Sequence, residues 1–324
     1  MSAVRTSCCL SAARPAAASA PERPIRALAD VDRRAAAPVR GALLLSAGVA
    51  QAGTVPEAPQ VGDTYELTLV KDSIRHGGNG SGGTSHDQDT LVEQVTGVRA
   101  DGLELQYDLP STTTAEERTR DWQFPIRVFK LMGGPAQLLN ALELEARLDG
   151  WLKAASLSRD ACGHWFFTWN AFRIECDPQS VIKTVEAYDL RSADPHEGAP
   201  YRDSEAGSPG KPARKAGVAD GETFVVEMPV DPEAVRNARA ESDVILGEII
   251  KKPVSLETAL HDRPAEIVSG TISVTFETDA NRNVRRRTRV TKLDIKLPDG
   301  RSETQTVTTR WSGDPFHDTT DGQE

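Results

Sequence analysis

Residues 91–109 read LVEQVTGVRADGLELQYDL. In the second half Leu103, Leu105, Tyr107 and Leu109 alternate with Glu104, Gln106 and Asp108. That is the period of a strand with one face in a core and the other in water. Asp101-Gly102 lies between the two apolar runs, and this dipeptide favours the positive φ of a tight hairpin turn. Residues 91–98 and 103–109 are therefore expected to be the arms of one hairpin. Upstream, Tyr65, Leu67 and Leu69 alternate with Glu66 and Thr68 in a further strand. Trp122–Leu131 is expected as another, with Pro125 at an edge or a bulge.

The period then becomes helical. Gly134 can cap and Pro135 can take the first helical position. Leu144, Leu148, Trp151, Leu152 and Ala155 follow as one buried stripe, with Glu143 and Arg147 as a surface pair. Asp177-Pro178 starts a second helix with Val181, Val185 and Tyr188 inward. Residues 192–221 are rich in Pro, Gly and charge with almost no large apolar side chains, and read as a flexible linker. A strand at Phe224–Met228 follows, then a helix from Asp231-Pro232-Glu233 with Val235, Ala238, Ile245 and Ile249 inward, then a shorter helix after Pro253. Three strands come last, Gly270–Glu277, Val284–Leu297 and Glu303–Trp311, the last two joined at Pro298-Asp299-Gly300.

This order gives an α+β chain: a curved antiparallel sheet built from N- and C-terminal strands, half-barrel-like, with helices packed on one face. It resembles the half-barrel of bacterial lipoprotein-carrier proteins in element order alone, with no motif residue behind the likeness. The expected divisions are 53–191, the linker 192–221, 222–311 sharing one sheet with 53–191, and a frayed tail 312–324. Two smaller domains joined by the linker are the competing arrangement.

Residues 31–52 read as an export signal: Arg33, Arg34 and Arg40, the short apolar run Gly41–Ala50, and Ala50-Gln51-Ala52 as cleavage site. Residues 1–30 fit a signal badly, so they are either an extension or precede a later translation start such as Val31. The apolar run falls short of the roughly 20 residues that span a bilayer, so the mature chain is expected to be periplasmic or secreted without an integral membrane segment. Of 38 Lys+Arg and 48 Asp+Glu, the first 52 residues hold seven and three, leaving 31 against 45, a net of −14. So acidic a body is ill suited to neutralising phosphates, and nucleic acid is not an expected partner.

Four constellations invite chemistry. Cys162 and Cys176 bracket a segment dense in tryptophan and phenylalanine, and after export they are expected to form a disulfide stabilising by about 3 kcal/mol. Zinc is the lesser alternative, because no C-x-x-C spacing occurs. The aromatics between them, with Trp165 and Trp169 on one face and Asn170, Arg173 and His164 as a polar rim, read as core, or else as a shelf for a ligand or partner. The loop Asp72–Asp89 is glycine-rich but lacks a P-loop ending; His76, His86, Asp87 and Asp89 are its possible metal ligands. Arg285, Arg287 and Arg289 share one face of a strand that turns apolar at Leu293, so a bulge near Val290–Lys292 or an overhanging strand is expected, and an anionic partner is possible. No cofactor motif occurs. The chain reads as a non-enzymatic envelope protein for an apolar or amphipathic ligand or a partner, with lipid, envelope glycan or envelope protein as candidates. The alternative is a hydrolytic or metal-dependent enzyme using the His/Asp loop.

Overall fold

The hairpin at 91–109 is one step in a ten-stranded antiparallel sheet. The structure, a computed structural model, describes residues 58–167, 171–215, 221–262 and 266–315. The signal-like stretch, most of the tail, and the predicted site residues Trp169 and Asn170 lie outside the described residues.

In chain order the first half contains β1 (Thr64–Gly77), β2 (Gly82–Arg99), β3 (Gly102–Asp108), the single turn α1 (Ala115–Arg118), β4 (Ile126–Leu131) and β5 (Ala136–Leu138). Then come α2 (Ala141–Ala154), the small hairpin β6 (Trp165–Phe167) and β7 (Ala171–Arg173), and α3 (Val181–Tyr188). The second half has β8 (Ala213–Lys215), β9 (Thr223–Pro229), α4 (Pro232–Ile249), α5 (Leu256–His261), β10 (Ile267–Thr278), β11 (Val284–Lys296) and β12 (Ser302–Pro315). The strand order is β5-β4-β3-β2-β1-β12-β11-β10-β9-β8. Both halves thus share one sheet, joined where β1 pairs with β12 from Tyr65↔Pro315 to Gly77↔Glu303. The sheet is open, since its edge strands β5 and β8 do not pair with each other.

Helix starts follow the sequence at two places. Asp177 accepts from the Gln179 amide and Asp231 from the Glu233 amide, each just before a proline that needs no donor partner. Elsewhere the structure departs from expectation. The stretch Asp72–Asp89 is not a loop: β1 and β2 pair through it to His76↔Gly82, and only the turn at the tip is glycine-rich. The strand expected from Trp122 begins at Ile126, after Pro125, which has no amide to give the ladder. The helix expected from Pro135 begins at Ala141, because Ala136–Leu138 pairs with β4 first. Gly102 is not in the left-handed region. It is small because β4 crosses close by: an added Cβ would lie 2.3 Å from the Lys130 carbonyl oxygen. On α4, Ala238 is exposed and the buried residues are Ala240 and Gly247.

Residues 192–215, expected as a linker, lie along β9. Tyr201 bridges Gly210, β8 pairs with β9, and Ala193, Tyr201 and Ala206 pack against a core. Few large apolar residues suffice here because backbone bonds and ion pairs hold the segment.

The core forms two clusters. One joins Leu67, Leu91, Val95, Leu105, Tyr107, Ile126 and Val128 of the sheet to Leu144, Leu148 and Leu152 of α2 and Val181, Val185 and Tyr188 of α3. The other joins Phe224, Val226 and Met228 to Ile272, Val274, Phe276 and Val284, with Leu190 above them.

Candidate functional site

Residues opposite one another on antiparallel strands share a face, so the register lays out rows across the sheet. One row runs Asp89, Leu69, Trp311, Arg287, Phe276, Phe224 from β2 to β9. The next runs Asp87, Lys71, Thr309, Arg289, Val274, Val226, and the third Ser85, Ser73, Val307, Thr291, Ile272, Met228. Burial is greatest at the β9 and β10 end of every row. The β9 and β10 members are buried, Trp311, Thr309, Val307, Leu69 and Ser73 are half-buried, and Lys71 and Ser85 are exposed. A partly uncovered patch on β1 and β12 therefore adjoins a fully packed floor.

Helices touch this same face of β12 at both ends of the patch. The Trp311 indole donates to the Ala187 carbonyl of α3 at 2.7 Å. Arg239 of α4 donates to Glu303 at 3.3 Å. Those contacts are eight residue steps apart, roughly 27 Å at about 3.4 Å per step. Gln305, Val307 and Thr309 lie between them. The disulfide Cys162–Cys176 is formed, with Cα atoms 5.5 Å apart, and it closes the loop carrying β6 and β7. From that loop the Trp165 amide donates to Glu248 of α4 at 3.4 Å, and His164 stands 3.6 Å from the same carboxylate. The stapled hairpin thus straps the first core to the end of α4.

The arginine strand shows no bulge at Val290–Lys292, where β11 keeps register with both neighbours; the shift comes opposite Glu277/Thr278 and leaves Arg285 of β11 without a partner on β10. The basic side chains are accommodated individually. Arg285 donates to Asp279 at 2.8 Å. Arg289 binds Asp203 and Glu205, which the 192–215 segment brings over the sheet. Arg287 lies over the Trp311 ring, 3.8 Å from its centroid. Burial lowers the Arg287 pKa, while Tyr201, Asp189 and Asp203 partly offset that.

Strand alternation separates the proposed metal ligands. Asp87 and Asp89 point to the inner face, whereas His76 and His86 sit on the outer one. His86 bonds Asp72 at 2.7 Å, and Asp72 also receives Arg310. Among the described residues no group of three or more His, Cys, Asp and Glu side chains is placed to hold a metal. The glycine-rich tip is a closed turn: the Gly77 amide donates to the Ser81 carbonyl and the Gly80 amide to Gly77. It borders a pocket of about 430 Å³ also lined by Arg75 and Arg301, which pair with Glu303 and Asp299.

Sequence reasoning missed a buried polar network beneath α3. Glu93 is 4% exposed, accepts from the Tyr107 hydroxyl at 2.7 Å, and accepts two bonds from Arg191 at 2.9 and 2.6 Å. Lys130 pairs with Asp189 at 2.8 Å. Glu93 occupies the inward parity of LVEQV between Leu91 and Val95, and that misfit was its only sequence signal. Asp89 is another inward acid; burial, then Asp87 and Asp121, push its carboxyl up to about 6.

No protein-family model matches the sequence, and no curated protein is similar to it. Among solved structures the chain is similar to one described as lipid-protein interactions in lipovitellin, at 8% identity and a TM-score of 0.37, over 82% of this chain and 26% of that one. The chain thus spans about a quarter of the lipovitellin chain's length. It also matches the dehydratase domain from the CurJ module of curacin polyketide synthase at 8% identity and a TM-score of 0.10, covering 77% of this chain and 76% of that one. At these TM-scores neither carries an argument about function. Among the described residues no helix is long and apolar enough to cross a membrane.

Proposed function

We propose that this is an exported, non-enzymatic binding protein of the cell envelope that holds a small amphipathic molecule on the inner face of its sheet. The carrying observation is the half-buried patch on β1 and β12, where Leu69, Val307 and Thr309 adjoin a packed floor between the contacts of α3 and α4. Apolar area beside exposed Lys71 and half-buried Ser73 suits a ligand that is apolar on one side and polar on the other. The disulfide fits an oxidising compartment. A hydrolytic role for the His/Asp stretch has no comparable support, because its histidines and aspartates face opposite ways.

Native mass spectrometry of the protein purified from its producing cells tests the reading. An amphipathic small molecule should co-purify and leave when the protein is unfolded. A ligand-free mass, together with stable capture of an envelope protein, would replace the small molecule by a protein partner.

A further inference from the structure

The basic side chains nearest Arg287 on β11, and Lys130 of β4, are each spent on a carboxylate. Arg285 has Asp279, Arg289 has Asp203 and Glu205, and Lys130 has Asp189. Arg287 has no carboxylate within ion-pair distance among the described residues, and its buried Nε lacks a hydrogen-bond partner. The nearest acids, Asp189 and Asp203, are committed to Lys130 and Arg289.

The Arg287 guanidinium is nevertheless held in place. It stacks on Trp311, and the Trp311 indole is itself fixed by its bond to Ala187. A planar fork oriented by an aromatic face, half-buried and with its donors unspent, matches the geometry of a carboxylate or phosphate. Leu69 and Phe276 lie in the same row, and Thr309 and Val307 continue along β12 from Trp311. A head group at Arg287 would therefore place a tail against these side chains of β1 and β12.

We infer that Arg287 anchors the anionic head group, a carboxylate or a phosphate monoester, of an amphipathic ligand whose apolar part lies along β1 and β12. This rests on the binding reading above and names the chemistry of its ligand.

The test titrates the full chain calorimetrically with dodecanoate, dodecyl phosphate and dodecanol. These share one tail and differ only in head group. The anions should bind at least roughly tenfold more tightly than the alcohol, the scale of charge-assisted hydrogen bonds. The stronger of the two anions identifies the head. Arg287→Gln should erase the difference and leave dodecanol affinity unchanged, and Arg287→Lys should restore only part of it. Equal binding of all three by the unmodified protein overturns the inference, without recourse to any variant, and leaves the binding reading standing. Failure of all three to bind overturns both.

Discussion

Asp203 and Arg289 form a bidentate pair across 86 residues of chain, Nε to Oδ2 at 2.8 Å and a terminal nitrogen to Oδ1 at 3.0 Å. Both side chains are largely buried, at 10% and 17% exposure. The pair ties the 192–215 segment to β11, so Asp203→Ala should cost about 3 kcal/mol by leaving a buried guanidinium underpaired. Denaturant unfolding measures this, and a loss below about 0.5 kcal/mol would show that the segment is held some other way.

The same pair predicts acid lability. Burial raises the Asp203 carboxyl, but its bonds to Arg289 and the Glu205 amide win, and its pKa stays below the ordinary value of 3.8. An acid whose folded pKa is depressed contributes stability above its unfolded value and loses it as pH falls through the folded one. Melting temperature should drop below about pH 4, and Asp203→Asn should flatten part of that slope. Asp189, whose pKa is also lowered, accounts for some of the remainder.

Asp89 runs the other way. With its carboxyl pushed up to about 6 against an ordinary 3.8, the folded state binds the proton more tightly. The unprotonated acid thus weakens the fold as pH rises from about 4 to about 6. Asp89→Asn should stabilise the protein at pH 7, by about 1 kcal/mol once screening by nearby water is allowed for, and change little at pH 4. A thermal melt at both pH values checks the sign.

Removing the staple with paired Cys162→Ser and Cys176→Ser changes should cost about 3 kcal/mol. Amide exchange should quicken across residues 163–175 while Leu144 and Leu148 stay protected. If exchange in the loop is unchanged, packing rather than the disulfide holds the strap.

Gly102→Ala tests the close approach of β3 and β4. An added Cβ meets backbone, which cannot swing aside, so the variant should lose about 1–3 kcal/mol. A neutral result on equilibrium unfolding would mean the strands part at little cost.

Much of the sheet could be read from alternation, because period-2 patterns at 65–69 and 103–109 report burial directly. Asp177 and Asp231 marked helix starts through local hydrogen bonds, and local signals survive without tertiary context. What the sequence hid was long-range compensation. Glu93, Lys130, Arg287 and Arg289 all stand at inward positions, but their contacts come from Arg191, Asp189, Trp311 and Asp203, far along the chain or on another strand. The glycine-rich stretch misled because composition suggested a loop, whereas the β1 and β2 backbones pair to within a few residues of the tip. Of the α4 stripe, Val235 packs against a core whereas Ala238 is exposed, and Ala240 and Gly247 are buried for their smallness, which hydrophobic periodicity does not detect.

The seam between β1 and β12 also sets a timetable. Asp72 and Arg310 bond across 238 residues, and every pairing along that seam is comparably distant. Contacts so remote form slowly, since a long loop must close before any of them is gained. During synthesis β1 and β2 can zip together early, but the other edge of β1 stays bare until the last strand has emerged. A nascent chain is thus kept from completing its sheet by its own topology until that strand is available.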